Sequence, residues 1–176
     1  MSGTALPIPV IETTNLILRA PRETDFDALA RFSASTRSVF VGGPYERPRA
    51  WGSFLAQMGH WSLRGYGMWM IEDRATGAPA GRVGVINNDG WDEPELGWHL
   101  FEGFEGQGVA YEAALAARAY AAEHQGLDAL ISYVDPANHR SAALARRLGA
   151  KIERDGTVNG HACKVWRHPS VMGEAA

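Results

Sequence analysis

One cysteine, two lysines and no long apolar run set the first limits on this 176-residue chain. The lone Cys163 excludes an internal disulfide, and no Cys/His spacing resembles a zinc site, so no metal is expected. No stretch approaches the ~18–20 continuous apolar residues that span a bilayer. The first ten residues carry no basic cluster and include Pro7 and Pro9, which makes a poor signal peptide. Positive charge is not in surplus either: seventeen basic side chains face twenty acidic ones, for a net charge of -3. That balance argues against a duplex-binding module, which shows a basic face or stripe. The expectation is a cytoplasmic protein with neither nucleic-acid nor membrane partners.

Against these absences stands a 45% apolar content, enough to fill a core at a length that favours one domain over residues 1–176. Residues 10–20 read as one strand, with Leu16 and Leu18 alternating against Asn15, Ile17 and Arg19 before Pro21. Thr24 or Asp25 is placed to cap a helix through about Ser35. A second amphipathic helix starts near Pro48 and carries Trp51, Phe54, Leu55, Met58 and Trp61. Strands follow at 66–72, 82–87 and 95–101, then an alanine-rich helix at 109–124, a strand at 129–134 and a helix at 138–148 stopped by Gly149. Asn159-Gly160 joins two last strands in the strongest hairpin signal of the sequence. The order β-α-α-β-β-β-α-β-α-β-β, with antiparallel hairpins around one β-α-β crossover, predicts an α/β protein with a mixed sheet and helices on both faces.

The segment richest in chemistry is the run from Leu96 to Ala110, in which a strand enters a glycine-rich loop that opens a helix. The amides of Gln107, Gly108, Val109 and Ala110 lack intrahelical partners there and lie at the positive end of the helix dipole, a site for an anion such as pyrophosphate. Gly106 and Gly108 put no side chain in a ligand's way. The loop lacks the lysine of a Walker sequence, and Tyr111 stands where a dinucleotide fingerprint needs a third glycine or alanine.

This loop, Glu105-Gly106-Gln107-Gly108-Val109-Ala110, resembles the acyl-coenzyme A pyrophosphate loop of GNAT superfamily N-acetyltransferases. Three further segments are similar to the RimJ/RimL-like branch of that family: Glu12 to Arg19, Glu95-Leu-Gly-Trp98, and Asn138-His-Arg-Ser141 with Leu148-Gly149-Ala150. The resemblance covers about residues 10–168. It implies a mixed, mostly antiparallel sheet with a central splayed parallel strand pair, 95–101 and 129–134. It also implies acetyl-coenzyme A as cosubstrate, a primary amine as acceptor, and direct attack of that amine on the thioester. Leu100 and Phe101 then contact the coenzyme through backbone, with the Leu100 N–H polarising the thioester carbonyl. The loop residues 106–110 hold the pyrophosphate, and Asn138, Arg140 and Ser141 complete the coenzyme contacts.

For catalysis the resemblance selects Glu95 as general base, through a water, and Ser141 as the acid for the departing thiolate. Glu93 is the alternative base if a bulge shifts the strand by one residue, and His99, on the same strand face as Glu95, is another. The chain departs from the family at three places. Glu105 replaces a donor side chain and is expected to point outward, Asn15 replaces an arginine, and Ala150 replaces a phenylalanine. The acidic turn Asp89, Asp92 and Glu93 favours a cationic acceptor, while Trp51, Trp61 and Trp69 read as core. The competing function is a non-catalytic acyl-coenzyme A-binding module of the same fold. Exposed edges in the last hairpin suit a homodimer.

Overall fold

The structure, a computed structural model, describes residues 7–173. Its sheet begins with a correction. The expected single strand at 10–20 is a tight hairpin of β1 (Ile11–Glu12) and β2 (Leu16–Arg19). The Thr13 amide donates to the Leu16 carbonyl, and its hydroxyl accepts from the Leu16 amide while donating to Glu112, so Thr13-Thr14-Asn15 turns the chain as such polar residues do. Asn15 has a packing role, as a residue in that turn: its side-chain and backbone N–H groups both donate to Glu112.

Beyond β2 come α1 (Phe26–Ala34), α2 (Arg47–Arg64), β3 (Met68–Asp73), β4 (Pro79–Ile86) and β5 (Glu95–Leu100). Then follow α3 (Val109–Gln125), β6 (Ile131–Val134), α4 (His139–Arg147), β7 (Lys151–Val158) and β8 (His161–Arg167). The eight strands form one sheet in the order β1-β2-β3-β4-β5-β6-β8-β7, antiparallel except for β5 and β6. At the last hairpin Asn159 and Gly160 both take positive φ (51° and 79°), the conformation that an Asn-Gly two-residue turn supplies.

Helices cover both faces because the strands are apolar on both. Val83, Val85 and Leu96 turn to α3, whose Ala113, Ala114, Ala117 and Ala121 are fully buried against them. Alanine at those positions lets the helix axis sit close to the sheet. The opposite face carries Met70 and Phe101, covered by Phe26, Leu29 and Phe32 of α1 and by Ala50 and Phe54 of α2. Trp61 and Trp69 are core as expected, but Trp51 lies at the surface against Phe26. Ala150 is buried in a smaller cluster with Val134, Ala145 and Trp166. Among the described residues no helix is long and apolar enough to cross a membrane.

Asp25 does not cap α1. Its carboxylate takes both terminal nitrogens of the buried Arg19 at 2.8 Å, and Arg19 Nε donates to Glu72.

Candidate active site

The site lies where β5 and β6 part. Only Glu95 and Ile131 pair across them. On the other edge β5 stays in unbroken register with β4 from Glu95 to Leu100, and the Phe101 amide donates to the Ala80 carbonyl at 2.8 Å. Backbone groups alternate in direction along a strand, so the odd-numbered residues of β5 spend theirs on β4. Leu96, Trp98 and Leu100 therefore turn N–H and C=O toward β6, which still engages Leu96 through Ser132 but no longer pairs with the backbone of Trp98 and Leu100. Leu100 is thus placed as expected for a backbone contact in the gap. Phe101 is not: its amide is committed to β4 and its ring is core.

The root of the split is closed by a buried polar cluster that the sequence reading missed. The Ser132 hydroxyl donates to the Leu96 carbonyl at 2.6 Å and accepts from His168 Nε2 at 2.9 Å. Arg118 Nη1, which also donates to the Leu148 carbonyl, lies 3.4 Å from His168 Nδ1. Burial beside Arg118 and Arg167 pulls His168 down to about 4, so it is neutral and donates from Nε2. The pair resembles a nucleophile and its base, yet the serine proton is spent on backbone, so the cluster ties β5 to β6 rather than attacking a substrate.

Glu95 reaches across the split and accepts from the Tyr133 amide at 3.1 Å. Desolvation raises its pKa to about 8 against the opposing effect of that hydrogen bond. The alternatives differ sharply. Glu93 binds Arg167 through two hydrogen bonds of 2.6 and 2.8 Å and meets Arg154 at 3.3 Å, which holds its pKa below the ordinary carboxylate value. No bulge in β5 exchanges it with Glu95. The same arginines correct the reading of the acidic turn as a cation attractor: Asp92 also lies 3.6 Å from Arg154, so two of its three carboxylates are already paired. His99 is half-buried, stacks on Phe32 at 4.6 Å and accepts from Arg82 Nε at 3.2 Å. Desolvation first, and the charge of Arg82 second, hold it well below the ordinary histidine value, so it stays neutral.

The loop after β5 is built as an anion cradle. Gly106 and Gly108 take φ of 73° and 80°, values that side-chain-bearing residues adopt at a cost, and Gly108 is the N-cap of α3. The first helical bond runs from the Glu112 amide to the Gly108 carbonyl, and among the described residues no backbone group pairs with the amides of 107–110. Glu105 does not point away into solvent. Its carboxylate meets Arg37 and lies 3.5 Å from Arg140 Nη1, because two arginines converge on it from the segment after α1 and from α4. Arg37, which no sequence motif singled out, also donates to the Leu100 carbonyl at 3.3 Å.

On the far wall Asn138 caps α4, its side chain accepting from the Ser141 amide at 3.1 Å. The Trp98 indole N–H donates to the Ser141 hydroxyl at 3.3 Å. That bond leaves the serine proton free to be donated. The structure thus brings Leu100, the 106–110 loop, Asn138, Arg140 and Ser141 around one split, with Glu95 at its root.

A family profile for the acetyltransferase (GNAT) domain matches residues 15–151. The chain belongs to the GNAT acetyltransferase family. The crystal structure of the acetyltransferase from Agrobacterium tumefaciens is 39% identical, with a TM-score of 0.86 over 96% of this chain and 98% of that one. Two other solved structures share the fold. RimL, the ribosomal L7/L12 alpha-N-protein acetyltransferase in complex with coenzyme A, is 20% identical with a TM-score of 0.75, covering 92% of this chain and 98% of its own. The acetyltransferase from Salmonella typhimurium that modifies the N-terminal serine of L7/L12 is 20% identical with a TM-score of 0.74, covering 91% and 97%. This GNAT protein is therefore an acetyltransferase.

Proposed function

We propose that the protein moves the acetyl group of acetyl-coenzyme A to a primary amine by direct attack of that amine on the thioester, as a RimJ/RimL-like enzyme. The observation that carries this reading is the split itself: strand backbone at Trp98 and Leu100 that β6 no longer pairs, leading from Glu95 to a cradle of free amides. In this reading the pantetheine arm lies in the gap and pairs with the free edge of β5, and the amides of 107–110 take the pyrophosphate. The Leu100 N–H polarises the thioester carbonyl; one such preorganised donor is worth about 3 kcal/mol in a transition state. The amine nitrogen attacks the carbonyl carbon and loses its proton to Glu95 through a water. The carbon–sulfur bond then breaks, and the thiolate takes the Ser141 proton. A base near pH 8 suits this task, since it lies close to working pH.

The test is calorimetric titration with acetyl-coenzyme A, with dephospho-coenzyme A and free pantetheine as controls, followed by a turnover screen over an amine library. Micromolar binding that is lost without the pyrophosphate, with an acetylated amine, is the expected result. No binding at millimolar coenzyme would overturn the proposal.

Glu105 yields a second prediction. Its charge opposes a pyrophosphate and occupies Arg37 and Arg140, which lie beside the loop. Both pairs are partly exposed, and exposed pairs are weak, so removing the charge has a modest effect. Glu105→Gln is expected to bind acetyl-coenzyme A about threefold tighter in the same titration, consistent with roughly 0.6 kcal/mol. Weaker binding would show that Glu105 organises the loop instead of opposing the ligand.

A further inference from the structure

Two arginines of this protein are buried to the same degree, each about 5% exposed, and they are treated in opposite ways. Arg19 has carboxylates on all sides, from Asp25 and Glu72. Arg82, on β4, has none: among the described residues its guanidinium makes one hydrogen bond, from Nε to the neutral His99, and Nη1 is sealed from solvent with no partner. A buried cation without a counter-charge is costly, and a fold that needed Arg82 only for packing would be better served by an apolar residue. The cost here is visible in the molecule, because burial lowers the Arg82 pKa to about 10.

The place of Arg82 says what kind of anion it awaits. In the β4–β5 register Arg82 lies opposite His99, Gly84 opposite Gly97, and Ile86 opposite Glu95. These three rows share one sheet face, the one that α1 overlies through the Phe32–His99 stack. Arg82 and Glu95 thus stand at the two ends of a strip whose middle row is two glycines, with the backbone of Gly67 and Met68 packed against Gly84 and the flexible Met68 side chain lying beside Gly97. Four strand residues separate the end rows, about 13 Å at the usual rise, before either side chain reaches inward. A coenzyme arm in the split touches the other edge of β5, so this face is left for the acceptor. Glu105, with Arg37 and Arg140, lies beyond Leu100 at the coenzyme loop and offers Arg82 no charge.

We infer that Arg82 binds a carboxylate carried by the acceptor, so that the substrate class is a small amino-carboxylic acid, its amine at the Glu95 end and its carboxylate at the Arg82 end. The inference rests on the acetyl-transfer reading and narrows it: simple monoamines, polyamines and peptide N-termini without a nearby carboxylate are poor acceptors.

Product-type probes test this without turnover. N-acetyl derivatives of the common amino acids are titrated beside their carboxamides, with and without coenzyme A, on the intact protein. The expected result is at least one acid bound tenfold or more tighter than its amide, with Arg82→Gln reducing that preference to parity and Arg82→Lys keeping part of it. Coenzyme affinity stays unchanged in both variants. Arg82→Gln is also expected to melt no lower than the parent, since it removes an unpaired charge, so loss of preference is not loss of fold. Parity of acid and amide in the parent, a preference that survives Arg82→Gln, or no probe bound at all would each overturn the assignment. The acetyl-coenzyme A titration fails or succeeds separately, so the two readings are told apart.

Discussion

Glu95→Gln is expected to lower kcat between a hundredfold and a thousandfold while leaving acetyl-coenzyme A affinity nearly unchanged. A positioned general base contributes about 10²–10⁴ in rate, and the substitution removes the base while keeping shape. The amide oxygen can still accept from the Tyr133 amide, the one hydrogen bond that fixes Glu95 across the split. The parent enzyme's rate should rise with pH and level off above about 8, where the desolvated carboxyl ionises. That limb should vanish in the variant. Stability supplies the control, and its sign is opposite to that of a paired carboxylate. The folded pKa lies above the unfolded one, so this group's contribution is fully present below about pH 4.5 and is lost as pH rises through about 8. The variant is therefore expected to melt at or above the parent at pH 8, and to differ little at pH 4. A parent profile flat between pH 6 and 9, with full activity in Glu95→Gln, would remove Glu95 from the mechanism.

The elements around the split were legible because local signals and tertiary placement agree there. The glycine-rich run before Val109 announces a helix N-terminus with free amides, and Asn138 announces a cap; both are found. Glu95 could be chosen over Glu93 only through a family likeness, since nothing in the spacing reveals that Arg154 and Arg167 from the last hairpin claim Glu93. Non-local pairs of that kind account for most of what was missed. The Ser132–His168–Arg118 cluster joins positions 50 and 36 residues apart, and Arg37 reaches Glu105 across 68. The β1–β2 hairpin was missed for the reverse reason. Its apolar alternation runs through Thr13-Thr14-Asn15, residues that pass equally as the polar face of a strand or as a turn. Arg19 shows the limit of the alternation rule itself: it occupies the polar phase of β2 and is buried, because Asp25 and Glu72 supply its charge partners.

Those partners give the largest stability effect expected away from the reaction. Asp25→Ala should destabilise the protein by about 3 kcal/mol, because it strands a buried guanidinium that now has carboxylates on two sides. Glu72 still neutralises Nε, which places the loss at the lower end of the range for a broken buried pair. In a chain of this length about 3 kcal/mol corresponds to roughly 6–12 °C in Tm, read by thermal or urea unfolding. Adding Arg19→Met to Asp25→Ala should recover part of the loss, since the double variant no longer holds a buried guanidinium whose Nη2 has lost its acceptor, Nη1 keeping only the Ala20 carbonyl. An additive result would mean that the aspartate acts alone, through the Arg22 amide that it accepts at 2.7 Å ahead of α1. The pairing also bears on the site. Asp25 immediately precedes α1, and α1 carries Phe32 onto His99, the hydrogen-bond partner of Arg82. Loosening that anchor should therefore raise KM for the acceptor more than for acetyl-coenzyme A, whose loop is held from the opposite side of the sheet by α3.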